Sequence, residues 1–281
     1  MKFGDVLYQS RDRVAFITLN RPERYNAISE SMPGDIADAF AHADDDDSVH
    51  VVVLTGAGKG FCGGYDLNTY AESSGENPAI QQMPWDPTLD YRFMRRCSEG
   101  FMSIWRCNKP VIARVNGDAV AGGSDIALCC DLIVMSLDAR IGYPPARVWG
   151  CPTTAMWVYR LGAEKAKRML FTGDLVSGAE AEKMGLILQA VLPAELDSSV
   201  QALTDRIKGV PKNQLMMMKM LVNQAYENMG LNSTQQLATL FDGIARHSPE
   251  GVAFKQRAEE VGFKKAVSER DSGDPIAGSK N

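Results

Sequence analysis

Apolar positions along the chain fall into two regimes. Over the first two-thirds, short continuous apolar runs recur: "VAFITL" (14–19), "HVVVLT" (50–55), "PVIARV" (110–115), "DLIVMS" (131–136) and "LILQAV" (186–191). Runs that are apolar throughout, rather than at alternate positions, are what strands covered on both faces require. Between them, "MPGDIADAFAHA" (32–43) and "AEKAKRMLF" (163–171) are amphipathic at helical spacing, and "SGAE" (177–180) is a Ser-x-x-Glu capping box opening a further helix. From about residue 195 the strand pattern stops. "PKNQLMMMKMLVNQAYENM" (211–229) and "SPEGVAFKQRAEEV" (248–261) predict helices, the second with Ser248 as N-cap and Pro249 in the first turn. The pattern therefore predicts an α/β body over 1–195 followed by a helical region over 196–281. The polar, proline-bearing stretch 71–90, which contains Trp85, reads as a long surface loop or lid.

Composition narrows the function. The chain has 281 residues, enough for a full core, and a net charge of −5 argues against a nucleic-acid or anionic-membrane surface. No apolar run approaches the ~20 residues needed to span a bilayer. The N-terminal stretch lacks an apolar signal core, so a cytoplasmic protein is expected. Cys62, Cys97, Cys107, Cys129, Cys130 and Cys151 show no CxxC spacing and read as reduced thiols. His42, His50 and His247 are scattered, which leaves no support for a metal site, and the run Asp44 to Asp47 reads as a solvated connection. Met216 to Met218 and Met220 read as core or subunit-interface packing.

Two glycine-rich turns carry the candidate chemistry. In "TGAGKGFCGGYDL" (55–67), Gly58, Gly60 and Gly63 formally match the dinucleotide-binding fingerprint, but the second strand and its acid do not follow. The second turn is "NGDAVAGGSDIALCCDL" (116–132). Two glycine turns after two strands can aim two backbone N–H groups at one point, an arrangement that stabilises charge on a carbonyl oxygen.

With "ITLNRPERYNAIS", "VVVLTGAGKGFCGGYDL", "KPVIARVNGDAVAGGSDIALCCDLIV" and "YRLGAEKAKRMLFTGDLVSGAEAEKMGLI" in this order, nearly the whole chain resembles the crotonase (enoyl-CoA hydratase/isomerase) superfamily. The resemblance implies a spiral of ββα units with a C-terminal helical oligomerisation region, a homotrimer or dimer of trimers, an acyl-CoA substrate, and no cofactor beyond the CoA of the substrate. It places oxyanion donors at the N–H groups of Tyr65 and Gly122 and the first catalytic acid at Asp125, where hydratases of the family carry glutamate; at a helix start, Asp125 also reads as a cap satisfying backbone amides. CoA contacts fall on Arg24, Ala27, Gly64, Asp66, Leu67, Phe263 and Lys264.

The second glutamate of the family's hydratases falls on Pro145, in "IGYPPARVWG" (141–150). Proline neither gives nor takes a proton. The stretch offers Tyr143, Arg147 and Trp149 as walls of the acyl pocket: Arg147 reads equally as a partner for an anionic acyl group or as a solvent-facing or subunit-bridging salt bridge, Trp149 as a wall or as core packing, and Tyr143 as a candidate proton donor. The resemblance implies an enoyl-CoA hydratase. The missing acid leaves open another crotonase reaction (C–C or thioester hydrolysis, decarboxylation, isomerisation) or a non-catalytic acyl-CoA binding protein.

Overall fold

The computed structural model describes residues 1–70 and 83–272. Strands β1 (Lys2–Phe3), β2 (Val6–Arg11) and β3 (Val14–Leu19) form an antiparallel meander, after which helix α1 (Met32–Asp45) returns the chain to β4 (Val51–Gly56), parallel to β3. The single turn α2 (Leu67–Tyr70) and the long helix α3 (Pro87–Arg106) lead into β5 (Val111–Val115). Then come β6 (Ala119–Val120), α4 (Gly122–Leu128), β7 (Leu132–Ser136) and β8 (Arg140–Gly142). Helix α5 (Met156–Thr172), strand β9 (Leu175–Ser177), helix α6 (Gly178–Met184) and strand β10 (Gln189–Val191) complete the α/β part. Helices α7 (Leu196–Lys208), α8 (Lys212–Asn228), α9 (Leu231–His247), α10 (Pro249–Val261) and α11 (Phe263–Asp271) follow.

The main sheet has the order β1-β2-β3-β4-β5-β7-β10, and β6-β8-β9 form a second, small sheet. Its parallel strands β3, β4, β5, β7 and β10 all come from the five apolar runs. Register explains why these runs do not alternate. Ile17, Leu54, Ala113 and Ile133 lie side by side across β3, β4, β5 and β7 and face the main core. The adjacent row, Phe16, Val53, Ile112 and Leu132, faces the other way and is covered by Leu196 and Val200 of α7. Both rows lose their water, at about 1.5–3 kcal/mol per large aliphatic side chain.

Three expectations change. The run 186–191 is strand only over Gln189–Val191, because Leu186 and Ile187 are taken into the core at the turn after α6. The predicted loop 71–90 ends early. Asp86 accepts from the N–H groups of Thr88 (2.9 Å) and Leu89 (3.1 Å), so 87–90 are the first turn of α3; residues 71–82 lie outside the described residues. Of the two readings of the methionines, core packing fails for Met217 and Met220, which are 52% and 54% exposed on α8, and subunit-interface packing stands as the other. Both predicted caps are present: Ser177 and Glu180 form the capping box of α6, and Ser248 accepts from Gly251 N–H at 3.1 Å. Among the described residues no helix is long and apolar enough to cross a membrane.

Candidate active site

The two glycine turns meet through their backbones. Cys62 N–H donates to Asp118 O (3.1 Å), and Val120 N–H donates to Cys62 O (3.0 Å). A Cβ on Gly123 would lie 2.1 Å from Cys62 O, so only glycine permits this approach. Gly64, at φ +90°, sets the corner: an added Cβ would sit 3.7 Å from Gly122 N. Ile28 N–H donates to Gly64 O (2.8 Å) and Asp66 N–H to Ile28 O (3.0 Å), which turns the intervening Tyr65 N–H to the opposite side. Among the described residues, neither the Tyr65 N–H nor the Gly122 N–H has a hydrogen-bond partner within the chain. Ala121, just before Gly122, holds φ +52°, an unfavourable angle for a residue with a Cβ.

The Tyr65 ring lies over Gly122, where an added Cβ would meet it at 3.1 Å, and its edge meets Tyr70 at a ring separation of 5.4 Å. Asp66 is held by Arg21 Nη2 at 2.9 Å, a structural tie that fixes the turn.

Tyr65, Gly122 and Asp125 line one cavity of about 350 Å³, a volume suited to a small organic group. Asp125 sits on the first turn of α4, 2% exposed. Its Oδ1 accepts from Thr154 Oγ1 at 2.6 Å, and no backbone N–H among the described residues donates to its carboxylate, so it is not a cap. Burial pushes its pKa up to about 8; the Thr154 hydroxyl opposes this and the charge of Asp242 adds to it. An aspartic acid that is mostly protonated at neutral pH and lines a cavity can deliver or take up a proton there.

The bend 141–150 forms the opposite wall. Pro144–Arg147 make a 3₁₀ turn, and Tyr143, Pro145 and Trp149 face the cavity. Tyr143 Oη donates to Cys151 O at 2.8 Å, and burial raises its pKa well above the ordinary tyrosine value, so its proton is already committed. Arg147 does not line the cavity. Its Nε donates to Thr172 O (2.6 Å), and its Nη1 pairs with Asp271 of α11 (2.8 Å). Trp149 packs against Phe254 and Phe263 at ring separations of 5.6 and 5.9 Å, so α10 and α11 close this side of the cavity. Arg147→Gln is expected to cost about 0.5–1 kcal/mol in a denaturant melt, with faster amide exchange over 263–271. Unchanged exchange there would show that Arg147 does not hold α11.

Of the CoA-contact candidates, Leu67 and Phe263 line the cavity, while Arg24, Ala27, Gly64, Asp66 and Lys264 do not. Trp85 stacks on His247 at 4.8 Å and is not among the lining residues. The arrangement also contains residues that pattern reading missed. Asp242 of α9 lines the cavity, accepts Cys151 N–H at 2.9 Å, and pairs with Arg246 Nε at 3.2 Å. Arg246 Nη2 in turn holds Asp90 of α3 at 2.6 Å, which fits over Gly243, where an added Cβ would lie 2.3 Å from Asp90 Oδ2. Gln235 of α9 donates to Thr154 O (2.9 Å) and so fixes the partner of Asp125. The available signal was Asp242 and Arg246 four residues apart in a helical stretch, the spacing of an ion pair on one face.

Comparison with known proteins identifies the family. A family model described as enoyl-CoA hydratase/isomerase matches residues 9–259. A putative enoyl-CoA hydratase of Thermus thermophilus is 33% identical over 241 residues, covering 85% of this chain and 91% of the relative. The (E)-benzylidenesuccinyl-CoA hydratase of Thauera aromatica is 32% identical over 206 residues, covering 72% and 75%. A crystal structure of an enoyl-CoA hydratase from Mycobacterium smegmatis superposes with a TM-score of 0.89 at 46% identity, covering 96% of this chain and 94% of that one. The chain belongs to the enoyl-CoA hydratase/isomerase family.

Proposed function

We propose that the protein is an enoyl-CoA hydratase, adding water across the double bond of an α,β-unsaturated acyl-CoA thioester. The thioester oxygen is held by the N–H groups of Tyr65 and Gly122, which stabilise the enolate formed when water attacks the β-carbon. Asp125 delivers a proton to the α-carbon and, in the reverse direction, removes it. The observation that carries this reading is the buried carboxyl of Asp125, its pKa raised by burial, in the same cavity as two backbone N–H groups without partners among the described residues. Aromatic side chains on several walls (Tyr65, Tyr70, Trp149, Phe263) favour a flat, unsaturated or aromatic acyl group.

The test is turnover of a panel of acyl-CoA esters (short enoyl, long enoyl, aromatic enoyl, cyclic β-keto) followed by mass spectrometry. A gain of 18 mass units on an enoyl member is expected; no such gain on any member would sink the reading. Pro145 favours a second reading, in which the same enolate is used for isomerisation or bond hydrolysis with Asp125 as the single acid/base. Products of unchanged or cleaved mass would identify it. The exposed apolar side chains of α8 and α9 support a homotrimer or dimer of trimers; a monomer in analytical ultracentrifugation would exclude both.

A further inference from the structure

Water addition needs one group to take a proton from the attacking water and another to protonate the α-carbon. Asp125 is suited to the second task, and the wall where the family's hydratases carry another acid has Pro145. The corner beside that proline is not empty of charge. A Cβ on Gly150 would lie 3.2 Å from Pro145 Cβ, 3.2 Å from Asp242 Oδ1 and 3.6 Å from Tyr143 Oη. One point beside Gly150 thus touches both, which puts the Asp242 carboxylate no farther than about twice that distance from Pro145 Cβ. Asp242 arrives from α9, on the far side of the bend, and lines the cavity together with Asp125.

The surroundings of the two acids differ in kind. Among the described residues Asp125 accepts only from a neutral hydroxyl, that of Thr154. Asp242 accepts a backbone N–H on Oδ1 and a guanidinium N–H on Oδ2, both of which favour the carboxylate. Around it stand Arg246 and His247 on its own helix, Asp90 on α3, Asp125 on α4, and Tyr143 and Cys151 on the bend. Arg246, which also lines the cavity, is shared between Asp242 and Asp90, so its charge is divided between two carboxyl groups. Burial raises the pKa of both carboxyls, but Asp242 has a guanidinium and a backbone N–H that draw it back toward the carboxylate and Asp125, among the described residues, has neither, which sets the two apart as an acid and a base.

Resting on the hydratase reading, we propose that Asp242 is the second carboxylate of the reaction, reaching in from α9 to serve as the base that the bend at Pro145 lacks. Water attacks the β-carbon as its proton passes to Asp242, and the electron pair of the C=C bond moves through the thioester to the oxygen held by Tyr65 and Gly122. The enolate then collapses, the α-carbon takes the proton of Asp125, and one water has been added. The proton on Asp242 leaves through solvent and Asp125 is reprotonated, which restores both groups.

The test begins with an enoyl-CoA that the wild type hydrates. If the wild type hydrates none, the hydratase reading falls and the role of Asp242 falls with it. Given such a substrate, Asp242→Asn is expected to lower kcat by about 10²–10⁴-fold while a saturated acyl-CoA still binds within threefold of wild type. Asp90→Asn makes the same charge change one guanidinium away, outside the cavity, and is expected to keep at least a tenth of kcat. A kcat for Asp242→Asn within threefold of wild type overturns the proposal alone, and equal losses in the two variants overturn it by showing a purely structural triad. Should Asp242→Asn fail to fold, the wild-type pH profile decides. An acidic limb above the ordinary aspartate range, together with a second limb near pH 8, supports two working carboxylates, and a single limb overturns the proposal.

Discussion

Asp125→Asn is expected to abolish most turnover and to make the protein more stable. Asparagine is isosteric and its Oδ1 can still accept from Thr154 Oγ1, but it carries no exchangeable acid, so kcat falls about 10²–10⁴-fold. The stability change follows from linkage. The carboxyl of Asp125 has a folded-state pKa raised to about 8. A group raised on folding favours the folded state fully only below its unfolded pKa, and that contribution is lost as pH rises toward the folded pKa. At pH 7 the lost contribution is on the order of 4 kcal/mol, an upper figure because a buried site relaxes. The variant should therefore match wild type near pH 4, exceed it increasingly through pH 5 to 8, and level off above. Denaturant melts at pH 4.5, 6 and 8 measure this, and parallel curves for the two proteins would refute an elevated pKa at Asp125. The same ionisation predicts that wild-type hydration declines above pH 8, as the proton donor is lost.

How much of this was legible in the chain depended on which physical signal each part left. The five parallel strands were legible because burial on both faces makes a sequence apolar at every position, and the register bears this out through Phe16 and Ile17, or Val53 and Leu54, facing opposite layers. Helix α3 was obscured because its first turn is polar and proline-bearing, features that also mark loops; the distinguishing element is Asp86 placed to cap it. Helix α9 was obscured for a deeper reason. Leu237, Leu240, Phe241 and Ile244 form an apolar stripe at helical spacing, which ordinarily marks the face turned to the core. Here those residues are 40–50% exposed, whereas Gln235, Thr239, Asp242 and Arg246 are buried. The polar stripe faces the site and the apolar one faces outward, the reverse of a helix stabilised by its own chain's core. Pattern alone cannot distinguish the two faces, so Asp242 escaped notice. Asp125, Tyr65 and Gly122 were placed by resemblance; their gathering around one cavity is a property of the fold.

The inverted helix also makes Arg246 the residue whose loss should harm the fold most. It is 6% exposed and holds two carboxylates that are themselves almost fully buried, Asp90 at 2.6 Å and Asp242 at 3.2 Å. Methionine at this position would keep most of the volume and remove the charge, leaving two buried anions facing each other. Breaking such a pair by removing one partner costs about 3–5 kcal/mol, chiefly through the uncompensated charge left behind. Arg246→Met should therefore lower the denaturation midpoint by that amount at pH 7. The loss should shrink in acid. Burial already raises the Asp242 pKa, against the pull of Arg246, and losing the guanidinium raises it further. A raised carboxylate favours the folded state below the unfolded value near 4 and loses that contribution as pH rises, so the gap from wild type should open between pH 4 and neutrality. Replacing all three charges together, as Asp90→Asn, Asp242→Asn and Arg246→Met, should recover much of the stability, because no unpaired charge then remains. If the triple variant were as unstable as Arg246→Met alone, the damage would lie in lost packing between α3 and α9, and the charge account of this contact would be wrong.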